Sequence, residues 1–363
     1  MPRRPSHGPR PGVPRMVTPP SLTAHRPLPS RDRKGVGAFW ICAALLLSCS
    51  LIPVPADIPT PPYASDQPIT EPKLFQEGVI STRFDEFGLA FSHDGRSLFF
   101  NRSVPRSNLY AILTSSFSNG RWSEPEVAAF SGQYWDFDAV FSPDGSKVFF
   151  GSDRPVPGHP KQDQDFEIWM LNRTSTGWSD PVHLNDAVNS DQDETFASSA
   201  ANGTLYFISG REGGREHLAV YRSKLVDGKY APAEKLQGPV NDPENSSLEV
   251  LIAPDESFLL LVPFGRKDGY GSFDIYVSEQ KDGQWTAPRN LGPKVNTAAR
   301  DYSPRLSPDG KYLFWSSERG LGTARPTQPM KTEEFEAAMR GTLNGWGNIY
   351  QIELSAIGLG SKK

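Results

Sequence analysis

Ten residues, FSPDGSKVFF from Phe141 to Phe150, return in altered form at four other places: FSHDGRSLFF from Phe91, SSAANGTLYF from Ser198, IAPDESFLLL from Ile252 and LSPDGKYLFW from Leu306. In every copy a polar turn leads into three apolar residues, the pattern of strand, tight turn, strand. The turn residues Asp94, Asp144, Asn202, Asp255 and Asp309 are spaced 50, 58, 53 and 54 residues apart. Such a period is too long for a solenoid helix pair and suits a repeated four-stranded unit.

The apolar triplets are Leu98-Phe99-Phe100, Val148-Phe149-Phe150, Leu205-Tyr206-Phe207, Leu259-Leu260-Leu261 and Leu313-Phe314-Trp315. Successive strand residues face opposite sides, so these strands are apolar on both faces and need cover from both. Sheets packed between neighbouring sheets supply it. A third strand follows near Tyr110, Trp169, Tyr221, Tyr276 and Tyr350, and a fourth is marked by Trp122 with Pro125, Trp178 with Pro181, Tyr230 with Pro232 and Trp285 with Pro288. Proline belongs on the outermost, edge strand. In the third unit the turn is one residue short, so its register is open.

The fifth unit stops after its third strand, near Leu354. Residues Ile69 to Gly78, ITEPKLFQEG, resemble the fourth-strand phrase WTAPRNLG from Trp285. Pairing that segment onto the last unit would remove its open edge. The expected fold is therefore all-β: a propeller of five four-stranded blades over residues 69–355, closed by its N-terminal strand, with six blades as the alternative if residues 51–85 hold further strands.

The phrase φSPDGxxLφF (φ apolar), with DIY and GxWxxPxxL, resembles the TolB-type, WD-like propeller repeat. The resemblance covers residues 69–355. It implies the fold and, because TolB-like domains bind protein partners, a binding or scaffolding role for a protein, peptide or glycan partner in the cell envelope. Propellers host many functions, so the fold alone does not choose among them.

Residues 1–49 hold eight Lys and Arg against one acid, Asp32, and residues 1–34 are rich in Pro and Arg without hydrophobic periodicity. Met16 is an alternative start to Met1. The cluster Arg31, Arg33 and Lys34 precedes an apolar run, Val36 to Leu47, whose twelve residues make about 18 Å of helix, too short to span a bilayer. This is the pattern of an export signal. Leu46-Leu47-Ser48-Cys49 resembles the bacterial lipobox, which implies lipidation at Cys49, and Ser50 after it implies the outer membrane of a Gram-negative cell, with a periplasmic location as the other expectation. Cys42 would leave with the signal, so no disulfide is expected. Residues 50–68 are dense in proline and read as an extended tether; residues 356–363 read as a disordered tail.

Without its first 49 residues the chain carries 30 basic and 41 acidic residues. A domain this acidic, with no basic stripe, is not expected to bind nucleic acid or anionic lipid through charge. The expected membrane link is the lipid anchor only, and the expected state a monomer.

Eight residues before each turn acid stands a mostly acidic column: Glu86, Asp136, Glu194, Ser247 and Asp301, with Asp193 as the alternative to Glu194. In a propeller these positions open the innermost strands. The carboxylates are expected either to converge at the channel mouth, as a ligand or calcium site or as paired acids for glycoside hydrolysis, or to hydrogen-bond locally and tie blade to blade. Histidines 93, 159, 183 and 217 are scattered, and no H-E-x-x-H, G-x-S-x-G, P-loop or dinucleotide pattern occurs. No cofactor and no catalytic residue is therefore assigned, and the balance leans away from an enzyme. Two insertions break the period, 154–165 and 319–346; both lie between second and third strands and should emerge on one face, the second with a helix over Thr332–Arg340.

Overall fold

The computed structural model describes residues 60–104, 107, 109–156, 165–241, 246–320 and 326–360. These belong to one compact unit, Ile58–Lys363. The export signal, Cys49 and the start of the proline-rich stretch lie outside the described residues. Among the described residues no helix is long and apolar enough to cross a membrane.

Five antiparallel sheets form the blades of a propeller. Their inner strands are Asp85–Phe91, Asp136–Phe141, Glu194–Ser199, Ser247–Ile252 and Asp301–Leu306, each followed outward by a second and a third strand. In blades 1, 2 and 4 the outer strand is broken into two dipeptides, Arg121–Trp122 and Glu126–Val127 in blade 1, with Pro125 in the gap. Proline has no N–H to give to the ladder, and the edge is where that costs least. Blade 3 replaces the first dipeptide by a small hairpin, Leu225–Val226 with Lys229–Tyr230.

The fifth blade is completed by the beginning of the domain. Lys73–Leu74 pairs antiparallel with Asn348–Glu353, in the register Lys73 to Gln351 and Leu74 to Tyr350. The Phe75 N–H then donates to the Ile349 carbonyl, and the Ser81 hydroxyl bonds both polar groups of Ile349. Five blades, not six, close the ring.

Alternation within the triplets builds the core. Leu98 and Phe100 face the cluster between blades 5 and 1, whereas Phe99 faces the cluster between blades 1 and 2. Leu313 and Trp315 likewise face blade 4 while Phe314 faces blade 1. All fifteen triplet residues are at most 6% exposed, so every middle strand is sealed on both sides.

The repeated turn has a specific hydrogen-bond logic. Ser142 Oγ donates to Asp144 at 2.6 Å and accepts the Lys147 N–H, while Asp144 accepts the Ser146 N–H. Ser92 with Asp94 and Ser307 with Asp309 repeat the pattern. In blade 3, where Ala200 replaces the serine, the strand re-pairs one residue earlier: Ala200 N–H to Thr204 O, against Ser142 N–H to Lys147 O.

Two boundaries differ from the sequence reading. The stretch expected to be a tether packs in its described part: Tyr63 is buried against Phe91, Tyr312 and Phe314. The expected disordered tail is ordered over 356–360, because Leu359 buries itself on the core between blades 4 and 5. Both segments carry apolar side chains that a composition dominated by proline or small residues conceals.

Candidate functional site

The four acids expected either to converge at the channel mouth or to tie blade to blade, Glu86, Asp136, Glu194 and Asp301, are fully buried, and none lines either of the two cavities described below. Each turns into its own blade and meets an arginine at the end of the second strand. Asp136 pairs with Arg154 at 2.6 Å, Asp301 with Arg319 at 2.9 Å, Glu86 with Arg102 at 3.0 Å and Glu194 with Arg211 at 3.3 Å. In blades 2, 3 and 5 the arginine ends the phrase Ser-x-Arg. Its Nε donates to the serine hydroxyl, and its Nη2 reaches the acid and a carbonyl at the end of the preceding blade, Phe130, Val188 and Val295 respectively. The guanidinium also lies over aromatic rings, Phe150 and Trp169 for Arg154. Glu86, Glu194 and Asp301 further accept hydrogen bonds from Thr82, Ser190 and Thr297 in the connections between blades. Burial pushes the Glu86 carboxyl up to about 7 and raises that of Glu194, against the lowering pull of these donors. The column is a set of interblade latches. In blades 2, 3 and 5 the Ser-x-Arg phrase just after the apolar triplet was the signal for it.

The axis is lined instead by residues one and two positions later, because every inner strand bulges there. In blade 1, Phe87 pairs with Asn101 and Ala90 with Phe99, so two residues oppose one; the other four blades share the irregularity. Gly88, Asp138, Phe196 and Ser303 occupy the bulge with left-handed φ between 48° and 65°. That conformation is strained for a residue with a side chain, and for phenylalanine above all. Asn101 holds Asp138 there, accepting its N–H at 2.8 Å and donating to the Asp136 carbonyl.

The bulges deliver polar groups to the centre. Asp138 pairs with Arg305 at 2.7 Å, both buried. Glu249 accepts the Ser303 N–H at 2.6 Å, and the Ser303 hydroxyl lies 3.4 Å from both Asp138 Oδ1 and Glu249 Oε1. Burial raises both carboxyls. Glu249, with Asp138 beside it adding repulsion, rises to about 8. A Cβ on Gly88 would stand 2.6 Å from Asp138 Oδ1, so the glycine leaves room for the aspartate.

Above this layer opens a cavity of about 680 Å³, on the face where the inner strands begin. Nine of its lining residues are aromatic. Tyr110, Trp135 and Phe166 form a stacked run along one wall, with Phe137 edge-on to Phe166 and tilted against Phe196. Charged groups at the rim are already engaged: Arg300 pairs with Glu318 at 2.8 Å and Arg215 with Asp193, while Asp85 accepts from Ser103 and from the Gly347 N–H. Below the layer a second cavity of about 170 Å³ is bounded by Arg305 and the proline-containing turns. The Asp138–Arg305 pair lies between the two.

The second insertion reaches the rim. Its helix, Thr332–Arg340, has the expected bounds, but Thr332 is its first residue and not its cap; the Lys331 N–H donates to Glu334. No helix residue is buried, Phe335 and Met339 are exposed, and so are Leu343 and Trp346, the last of which also lines the cavity. Residues 157–164 of the first insertion lie outside the described residues. Among the described residues, no grouping of three or more His, Cys, Asp and Glu side chains could hold a metal ion.

No protein-family model matches the chain, and no curated protein matches it. Solved structures do. TolB from Acinetobacter baumannii is 17% identical, with a TM-score of 0.42 over 64% of this chain and 51% of that one. A putative TolB from Agrobacterium tumefaciens is 15% identical, with a TM-score of 0.43 over 74% and 90%. The α-L-arabinofuranosidase from Lactobacillus brevis is 10% identical, with a TM-score of 0.43 over 76% and 92%. The chain thus spans about half the length of the Acinetobacter protein.

Proposed function

We propose that the propeller is a binding module of the cell envelope that receives part of a protein or peptide partner in its aromatic cavity. The carrying observation is the cavity itself: about 680 Å³, aromatic-walled, with two buried carboxyls at its floor. Binding sites are concave, largely apolar and supplied with a few placed polar groups, and this one falls within their usual size. In the insertion that supplies Trp346, the side chains of Phe335, Met339 and Leu343 are exposed as well, and exposed apolar groups favour a partner that covers them. Export, and anchoring through a lipid on Cys49, rest on the basic cluster, the short apolar run and the Leu-Leu-Ser-Cys phrase.

The test is a peptide array of envelope-protein segments probed with the full chain. Binding should be lost in Trp135→Ala and weakened by removal of residues 326–346, with the melting temperature of Trp135→Ala close to native. Binding indifferent to both changes would overturn the proposal.

A hydrolase reading draws on one observation. Asp138 and Glu249 flank the same serine hydroxyl, so two carboxyls meet at the floor, as glycoside hydrolysis requires. Turnover of aryl glycosides, abolished in Glu249→Gln, would establish it in place of the binding module.

A further inference from the structure

We propose that the cavity selects a ligand group bearing one positively charged nitrogen, such as a lysine side chain or a peptide amino terminus, and seats it on Glu249 between aromatic walls. This rests on the cavity being the binding site proposed above.

The first ground is an imbalance of charge at the floor. Asp138 and Glu249 are two acids beside a single guanidinium, and Arg305 donates its close hydrogen bond to Asp138. Glu249 makes no ion pair among the described residues; its partner is Ser303, which supplies one N–H and a distant hydroxyl. Among the described residues, those facing Glu249 are Asp138 from blade 2 and Tyr302, Ser303 and Arg305 from blade 5, and of these Arg305 is the cation. A ligand cation would complete two pairs where the chain provides one. Buried carboxylates without a full counter-charge are costly, and that cost is what such a ligand relieves.

The second ground is the wall. Ring faces attract cations, most strongly where water is thin, and aromatic cages are the common receptor for substituted ammonium groups. Phe137, Phe166 and Phe196 line the same cavity as Glu249, Phe137 touching both other rings, and Trp135 stacks on Phe166. The third is the rim. Its two arginines are held by Glu318 and Asp193, so among the described lining residues no unpaired cation attracts an anionic ligand.

Benzylammonium, benzyl alcohol and benzoate separate charge from shape. Titrated into the full chain near neutral pH and followed by tryptophan fluorescence, benzylammonium should bind about tenfold or more tightly than the alcohol, a preference of about 1.4 kcal/mol, and benzoate most weakly. Glu249→Gln should erase the preference while leaving alcohol binding in place. In the native chain, affinity for the amine should rise about tenfold from pH 6 to pH 7 as the carboxyl at the floor ionises, and affinity for the alcohol should not. The inference falls if alcohol or benzoate binds as well as the amine, if the preference survives Glu249→Gln, or if amine affinity ignores pH. If none of the three probes binds at millimolar concentration, the cavity is not the binding site and both proposals fall.

Discussion

Asp136 and Arg154 show how much a single buried latch carries. Both are shielded from water, and removing the arginine leaves a carboxylate without its partner. Arg154→Met is therefore expected to cost about 3–5 kcal/mol in urea unfolding, while Asp136→Asn combined with Arg154→Met should recover part of the loss. The exposed pair Arg340–Glu336 on the helix should be worth no more than about 0.5 kcal/mol by the same measurement. Gly88 offers a second residue-scale test. Alanine there would combine a left-handed φ of 65° with a collision against Asp138, whereas alanine at Gly120 meets a φ of 77° with open space around it. Gly88→Ala should cost about 1–3 kcal/mol, clearly more than Gly120→Ala. Equal losses would mean that Asp138 moves aside freely. The repetition of the acids allowed a blade-to-blade tie as one of two readings, but not the arginines that complete it. The arginine partners lie 16 to 18 residues away, and only the pairing of the first and second strands places them side by side.

At the scale of elements, ring closure depends on a strand of two residues and the side chains that follow it. Phe75 packs between Phe91, Trp122 and Phe314, joining the first and last blades. Phe75→Ala is expected to lose about 3–5 kcal/mol. Removal of residues 60–81 should go further and expose the hydrogen-bonding edge of Asn348–Glu353. An uncovered edge pairs with other chains, so the truncated protein should self-associate in light scattering; a stable monomer would show that closure does not need the N-terminal strand. This element was readable because ITEPKLFQEG repeats the fourth-strand phrase, and the helix over Thr332–Arg340 because its spacing is local. The bulges were not readable. A bulge has no residue signature: Gly, Asp, Phe, Glu and Ser occupy the five positions. It also breaks the period of two, which sends the residues before and after it to faces that simple alternation does not assign. The fourth blade held a partial clue, since it lacks the column acid at Ser247 and carries one two residues later, at Glu249.

For the molecule as a whole, the buried acids set the response to pH. Glu249 and Glu86 ionise near 8 and 7 in the folded chain, and burial also raises Asp138, Glu194 and Glu318. In the unfolded chain such carboxyls ionise around 4 to 4.5. The folded state therefore holds protons that the unfolded state releases. The contribution is complete below the unfolded values and is lost as pH rises through 7 and 8. Asp144, lowered to about 2 by the turn hydrogen bonds, acts oppositely and is lost only in strong acid. The urea midpoint is expected to fall steadily from about pH 5 to about pH 9, and Glu249→Gln should flatten the alkaline part. A midpoint that is level across this range would contradict the burial of these carboxyls in ionisable form.

What the sequence alone determined is the ring: five copies of a strand pattern apolar on both faces can be covered only by neighbouring copies, and the last needs its missing strand from the front. That information is local, repeated and hydrophobic, so it survives without coordinates. The tertiary structure decided the site. Asp138, Glu249 and Arg305 lie on three different blades, more than fifty residues apart along the chain, and come together only because the strands bulge at one height around the axis. The raised proton affinities of Asp138 and Glu249 follow from burial and from the charges beside them, and neither exists until the ring has closed.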